Sequence, residues 1–247
     1  MGLLAHLGRN PRPTLMSFRE ALDALGDEGV LERRLADVPI AQVVGSAARP
    51  RDFDADFRPL SAHLRPRRDR LADHLAGHNE PAPVDLYQLG NLYFVADGHH
   101  RISVLKSMGR QVVTARVVRY CTVAFAMACL RAMHLPSKAA ERRFLERIPL
   151  ADPIRTELWL DKPEDWVRLA DRAEAWGYRH AMRDGRPLPP AELAARWWRQ
   201  EVEPTLELVR ASGFGAELRD VELYLSAVTM MDRAGRDSWS PALLPTG

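Results

Sequence analysis

The chain reads as an α+β protein in which a mixed domain precedes an all-helical one. Three observations predict this. Two β-rich runs, Val84 to Leu89 and Leu92 to Ala96, flank Gly90-Asn91, a two-residue hairpin signal. A third run, Gln111 to Val118, carries β-branched Val112, Val113, Thr114, Val117 and Val118 and follows a short helical stretch. From Thr122 onward every strong signal is helical.

Taken in order, Met1 to Thr14 is an arm carrying Pro11 and Pro13, and Ser17 is placed to cap a helix from Phe18 to Leu25. Phe18, Ala21, Leu22 and Leu25 recur there at helical spacing, and the helix resumes over Val30 to Leu35 after Gly26 and Gly29. Val38 to Val44 reads as a strand with Pro39 near its start, where a missing N–H is tolerated. Gly45 to Pro66 is an arginine-rich loop broken by Pro50, Pro59 and Pro66. A helix over Arg67 to Ala76 ends at Gly77, and the helix from Arg101 to Met108 stops at Gly109. Beyond the last strand, Val123 to Leu135 reads as helix, and Pro136-Ser137 opens another through Ile148. Pro163 starts a long helix to Arg183 with Asp161 as candidate cap. Ala191 to Arg210 is kinked near Pro204, Glu217 to Arg233 closes the fold, and the tail after Gly235 is loose. The expected organisation is a helical arm (1–36), a mixed domain (37–120), a helical domain (121–235) and a tail (236–247).

Bulk composition narrows the function classes. Hydrophobic residues make up 46% of the 247 positions and charged residues 28%, as in ordinary soluble globular chains. The net charge of +2 is too small for wholesale nucleic-acid binding. Of the 35 basic residues only Lys106, Lys138 and Lys162 are lysines, an arginine bias that reflects coding composition. Cys121 and Cys129, on the helix expected there, would lie about 12 Å apart along its axis, too far for a disulfide, and read as buried free thiols. No signal peptide, membrane span or myristoylation pattern is found, position six being His6, so the expected location is the cytoplasm.

The chemistry concentrates in Asp97-Gly98-His99-His100-Arg101, where a strand runs into a helix. A glycine there permits a sharp turn and leaves no Cβ in the way of a ligand. The unpaired N–H groups of the helix start, two imidazoles and a guanidinium then make an anion pocket best suited to phosphates. The plainer alternative is a glycine turn whose Asp97 caps the helix while the histidines find local hydrogen bonds. Ser103, in the first turn, reads equally as a phosphate donor or a core residue.

With these residues in view, Val38 to Val118 resembles the ParB/sulfiredoxin superfamily. One box is Val38-Pro39-Ile40 through Arg49-Pro50-Arg51, similar to the proline-and-arginine segment opening ParB N-terminal domains. The other is the hairpin with Asp97 to Arg101, where members bind nucleotide phosphates. The resemblance implies a ParB/sulfiredoxin-like N-terminal domain and three activities to weigh. Sulfiredoxin-type reduction needs a cysteine where this chain has His99. Partition-type members hold CTP with Gly-Glu-Arg-Arg-x-Arg; Gly98 and Arg101 match, while His99, His100 and Ser103 depart from it. Free serine kinases carry a similar Asp-Gly-His-His-Arg box, and on that pattern Asp97 would hold Mg²⁺ while His100 and Arg101 neutralise phosphoryl oxygens. Their catalytic glutamate is replaced here by Gly45-Ser46-Ala47, leaving Asp52, Asp54 or Asp56 to serve as base.

The expectation is a ParB-like regulatory protein that binds a nucleotide or another phosphorylated small molecule. The ligand is ATP, ADP or CTP, undistinguished, with Mg²⁺ on Asp97. Gly98, His99, His100, Arg101 and Ser103 form the cradle with Arg49 and Arg51, and Asp97, His99 and His100 are the catalytic candidates. A small-molecule kinase is the second reading and a DNA-binding or nuclease protein the third. No helix-turn-helix supports DNA reading, since Pro204 interrupts the best helix pair. The helical domain is a candidate for self-association. Two other clusters are weighed. Arg49, Arg51, Arg58, Arg65, Arg67, Arg68 and Arg70, interleaved with Asp52, Asp54, Asp56 and Asp69, read as a solvated, internally paired surface. His74 and His78, with His63, His99 or His100, have the spacing of a weak zinc pattern if the helix passes Gly77. Trp159, Trp166, Trp176, Trp197 and Trp198 read as core anchors of the helical part.

Overall fold

A computed structural model describes residues 14–76, 81–236 and 239–243. They fall into two compact units, one of 14–22, 27–122 and 126–132, the other of 23–26, 123–125 and the described residues from 133 onward. The first holds β1 (Met16–Ser17), most of α1 (Phe18–Leu25), β2 (Asp27–Pro39), β3 (Val43–Ser46), α2 (Arg65–Ala76), β4 (Val84–Leu89), β5 (Leu92–Asp97), α3 (His99–Ser107) and β6 (Val112–Thr122). The strands form one mixed sheet in the order β1-β3-β5-β4-β6-β2. β4 and β5 make the expected antiparallel hairpin, with Gly90 at φ +51 in its turn. β3 runs parallel to β5, so the ends of both strands point toward the start of α3.

Strand periodicity sets the core. Val113, Ala115 and Val117 of β6 face inward while Val112, Thr114 and Arg116 face out. The inward set packs with Val84, Leu86, Val95, Ile102 and Leu105 and with two loop aromatics, Phe53 and Phe57. Phe18, Tyr87, Phe94 and Tyr120 form a separate aromatic cluster, with centroids 4.9–5.6 Å apart.

Three expected elements are corrected. Val30 to Leu35 is not helix but part of β2, paired antiparallel with β6 from Asp27↔Thr122 to Pro39↔Val112, with register shifts on either side of Val30. Val30, Leu31 and Leu35 are all exposed, so their spacing marked no buried face, and long-range pairing overrides local helix propensity. The Val38 to Val44 run is split: β2 ends at Pro39, a 3₁₀ turn spans Ile40–Gln42, and β3 begins at Val43 beside different neighbours. The segment after Thr122 is not helical until Ala132–His134, because its backbone is used elsewhere. The N–H groups of Val123 and Ala124 donate to the carbonyls of Gly26 and Leu25, and Ala126 O accepts from Asn91 N–H at 2.9 Å. Cys121 therefore lies half-buried in β6 and Cys129 is exposed, both free thiols but not buried on one helix. The boundaries drawn at 36/37 and 120/121 fall inside β2 and β6.

The second unit is helical: α4 (Leu135–Arg147), α5 (Asp152–Arg155), α6 (Pro163–Asp184), α7 (Pro190–Trp197), α8 (Glu203–Ala211) and α9 (Asp220–Arg233). All five of the tryptophans named above are buried, as expected of core anchors. A π-turn over Trp198–Val202 bridges α7 to α8 and places the kink just before Pro204, whose missing N–H cannot continue an α-helical ladder. Asp161 does not cap α6; its carboxylate accepts from Trp159 Nε1 at 2.9 Å, and Lys162 occupies the cap. In the tail, Trp239 is not loose but buried, 6.0 Å from the ring of Phe214. Among the described residues no helix is long and apolar enough to cross a membrane.

Candidate functional site at the Gly98 turn

β5 ends at Asp97 and α3 begins at His99, so one residue must reverse the chain. Gly98 does so at φ +100, ψ +22, a conformation costly for any side chain-bearing residue. A Cβ there would also lie 2.6 Å from Val84 Cγ1. Gly98 leaves the first turn of α3 without a side-chain cap, so that turn's N–H groups remain available to an anion. The capping role weighed for Asp97 is not taken up.

A cavity of about 510 Å³ opens at this turn. It is lined by the turn itself from Asp97 to Arg101, by Ala48 and Arg49 after β3, and by Arg67, Arg70, Leu71 and His74 of α2. The last four recur at i, i+3, i+4 and i+7, one face of a helix. Arg49, Arg67 and Arg70 form no ion pair among the described residues. The arginine cluster thus departs from the expected internally paired surface: Arg58 and Arg68 pair with Asp56 and Asp69, and these three do not.

The expected cradle residues divide. Asp97, Gly98, His99, His100, Arg101 and Arg49 converge on the cavity, whereas Arg51 is exposed outside its lining and Ser103 borders a different one. Arg101 turns inward. Its Nη1 donates to the carbonyls of Ala82 (2.9 Å) and Pro83 (2.7 Å), and its Nη2 to Asp97 Oδ2 (2.6 Å). It clamps α3 to the segment entering β4, and much of its donor capacity is spent there. Asp97 is, among the described residues, the sole carboxylate in the lining. Among the described residues no three His, Cys, Asp or Glu side chains stand together as a metal site. Asp97 alone fits only a Mg²⁺ that arrives chelated by phosphate oxygens. Of the zinc pattern, His74 lines the cavity and His78 lies outside the described residues.

Both imidazoles are buried against Phe53, His99 stacked on it at 5.7 Å and His100 edge-on at 5.5 Å. Ser46 fixes the state of His99. Its Oγ accepts from the N–H groups of Ala48 (3.2 Å) and Arg49 (2.7 Å), which uses both lone pairs. Its proton then goes to His99 Nε2 at 2.7 Å, leaving a neutral ring with hydrogen on Nδ1. Burial, then the charge of Arg49, pushes the His99 pKa down to about 4. Burial lowers that of His100 too, with Arg67 and Arg49 adding to the effect. Neither ring nitrogen of His100 finds a hydrogen-bond partner among the described residues.

This neutrality has a measurable consequence. Between about pH 6.5 and 4 the unfolded chain protonates His99 while the folded chain does not, so stability falls as pH is lowered through that window. The slope approaches about 1.4 kcal/mol per pH unit at most. Urea denaturation at pH 7, 6 and 5 measures it, and His99→Gln is expected to remove this component.

Sequence reasoning missed Ser46 as the residue orienting His99, Phe53 as the wall behind both rings, and Arg67, Arg70 and His74 as lining. The helical recurrence of the last three was legible; what they faced was not.

Comparison with known proteins gives no match to any family model and none to a curated protein. Among solved structures the chain is similar to sulfiredoxin from Arabidopsis thaliana, at 15% identity over 34% of this chain and 83% of that one, with a TM-score of 0.26. It is also similar to the C2221 form of a Pnob8-like ParB-N domain, at 12% identity over 83% of this chain and 82% of that one, with a TM-score of 0.23. At these TM-scores neither likeness bears on the site, whose reading rests on its own residues. The chain is an α+β protein with a mixed six-stranded sheet in its first unit and helices in its second.

Proposed function

We propose that the cavity at the Gly98 turn binds the phosphate groups of a nucleotide or another phosphorylated small molecule, and that the chain acts by binding it. One observation carries the reading: Arg49, Arg67 and Arg70, three arginines without a counter-ion among the described residues, surround an uncapped helix start. Clustered cations repel one another, and an anion relieves that cost while accepting from the helix N–H groups. Burial is the main cause of the lowered pKa values of both histidines, and the charge of Arg49 adds to it at His99, that of Arg67 and Arg49 at His100. A Mg²⁺ held with the phosphates would rest on Asp97.

Binding is favoured over phosphoryl transfer because, among the described residues, no carboxylate free of a partner is placed as a base. Asp54 is buried and its Oδ1 accepts from the N–H groups of Asp56 and Arg58, which makes it a turn former. Asp56 pairs with Arg58 and borders the other cavity. Asp52 is not in the lining, and Asp97 is tied to Arg101.

A thermal-shift panel of ATP, ADP, CTP and pyrophosphate, each with and without Mg²⁺, tests the reading on the full chain. At about 100 times its dissociation constant a true ligand stabilises by about 2.7 kcal/mol. No shift with any phosphate compound at millimolar concentration would overturn the proposal.

A further inference from the structure

A second cavity, of about 770 Å³, lies in the same unit and is bounded by the other flank of α2 and by α3. Four cationic side chains from three segments reach it: Arg58 from the loop, Arg65 and Arg68 from α2, and Lys106 from α3. Two are neutralised locally, Arg58 by Asp56 at 3.3 Å and Arg68 by Asp69 at 3.2 Å. Arg65 and Lys106 have no carboxylate within 4 Å among the described residues; Asp56 and Asp54 act on Lys106 only at longer range, and the lining sets four cations against the two carboxylates of Asp56 and Asp69.

Two further observations point to a ligand. Ser103 is 3% exposed, borders the cavity, and its hydroxyl makes no hydrogen bond among the described residues. A helical serine hydroxyl can return its proton to a carbonyl of the preceding turn, as that of the exposed Ser107 does to Val104 O at 2.7 Å. The loop that borders the cavity at Asp56, Arg58 and Pro59 is, moreover, held in an unusual conformation at the residue between Asp56 and Arg58. Phe57 is fully buried at φ +61, within a turn tied by Asp54 Oδ1 to the N–H groups of Asp56 (3.0 Å) and Arg58 (2.8 Å). The ring of Phe57 carries the Lys106 ammonium 4.9 Å from its centroid. A bulky residue in the left-handed region persists only where its surroundings over-determine it, and such positions concentrate at binding sites.

We infer that this cavity is a second anion site, separate from the one at Gly98, which takes a small molecule bearing two negative charges on carboxylate or phosphate groups. Arg65 and Lys106 supply the charge and Ser103 the neutral hydrogen-bond donor. The size suits a metabolite, since ligand cavities span about 300–1,000 Å³. The inference is independent of the reading of the Gly98 cavity.

Titration of ¹⁵N-labelled full chain with succinate and with inorganic phosphate, each against sodium chloride at equal ionic strength, tests it. Saturable shifts of the Ser103, Lys106 and Ser107 amides are expected with succinate, phosphate or both; which one works identifies the acid. Lys106→Met, which keeps the side chain's length, and Arg65→Ala, at an exposed position, are each expected to weaken binding at least tenfold with the rest of the spectrum retained. Shifts that match those in chloride, or that survive both substitutions, would overturn the inference. The Gly98 reading is scored separately, on the amides of His99 and His100.

Discussion

Gly98→Ala is expected to destabilise the first unit by at least about 2 kcal/mol, the largest effect of any single methyl group added at the site. Two costs combine. A backbone at φ +100 excludes an L side chain by sterics alone, and the new Cβ would stand 2.6 Å from Val84 Cγ1. Val84 is fully buried at the start of β4, so it cannot yield without opening the core around Leu86 and Ala115. Thermal or urea unfolding measures the loss. Gly109→Ala is the control: its φ is +70, but open space surrounds its Cβ position, so it pays the backbone cost alone. Equal losses at the two positions would contradict the account of Gly98.

The second large effect is on binding. Arg67→Ala with Arg70→Ala is expected to weaken a phosphate ligand by at least 100-fold while leaving the unfolding midpoint nearly unchanged. Each charge-assisted hydrogen bond to phosphate contributes about 1.5–3 kcal/mol, so losing two exceeds 100-fold even at the low end. Both residues are exposed on α2, and neither forms an ion pair among the described residues whose loss would cost stability. Calorimetric titration of both proteins with the best ligand from the nucleotide panel measures this. Arg101→Ala is a poorer probe. That side chain holds the Ala82 and Pro83 carbonyls, and its removal would mix folding with binding.

What could be read from the sequence was set by the range of the interactions involved. The β4–β5 hairpin, the Gly98 turn and α3 depend on contacts within a few residues, and composition alone marks them. β2 depends on β6, about eighty residues later, so without that partner Val30 to Leu35 read as a continuation of the helix before it. Arg49 and Arg51 are two residues apart and look equivalent in sequence. Ser46 Oγ binds the N–H of Arg49, which fixes the chain leaving β3 and puts that residue at the cavity but not Arg51. Likewise, an arginine-rich helix announces a charged surface without saying which flank meets the glycine turn. The histidines were recognised but their state was not, because their neutrality comes from Phe53, Ser46 and Arg49, all outside the motif.

The most direct measurement is where a phosphate compound lands. In a ¹⁵N-labelled full chain titrated with pyrophosphate and Mg²⁺, the amides of His99, His100 and Arg101 are expected to shift together and saturate, with Arg67 and Arg70 following. Saturation elsewhere while those three amides stay still would contradict an anion seat at the start of α3.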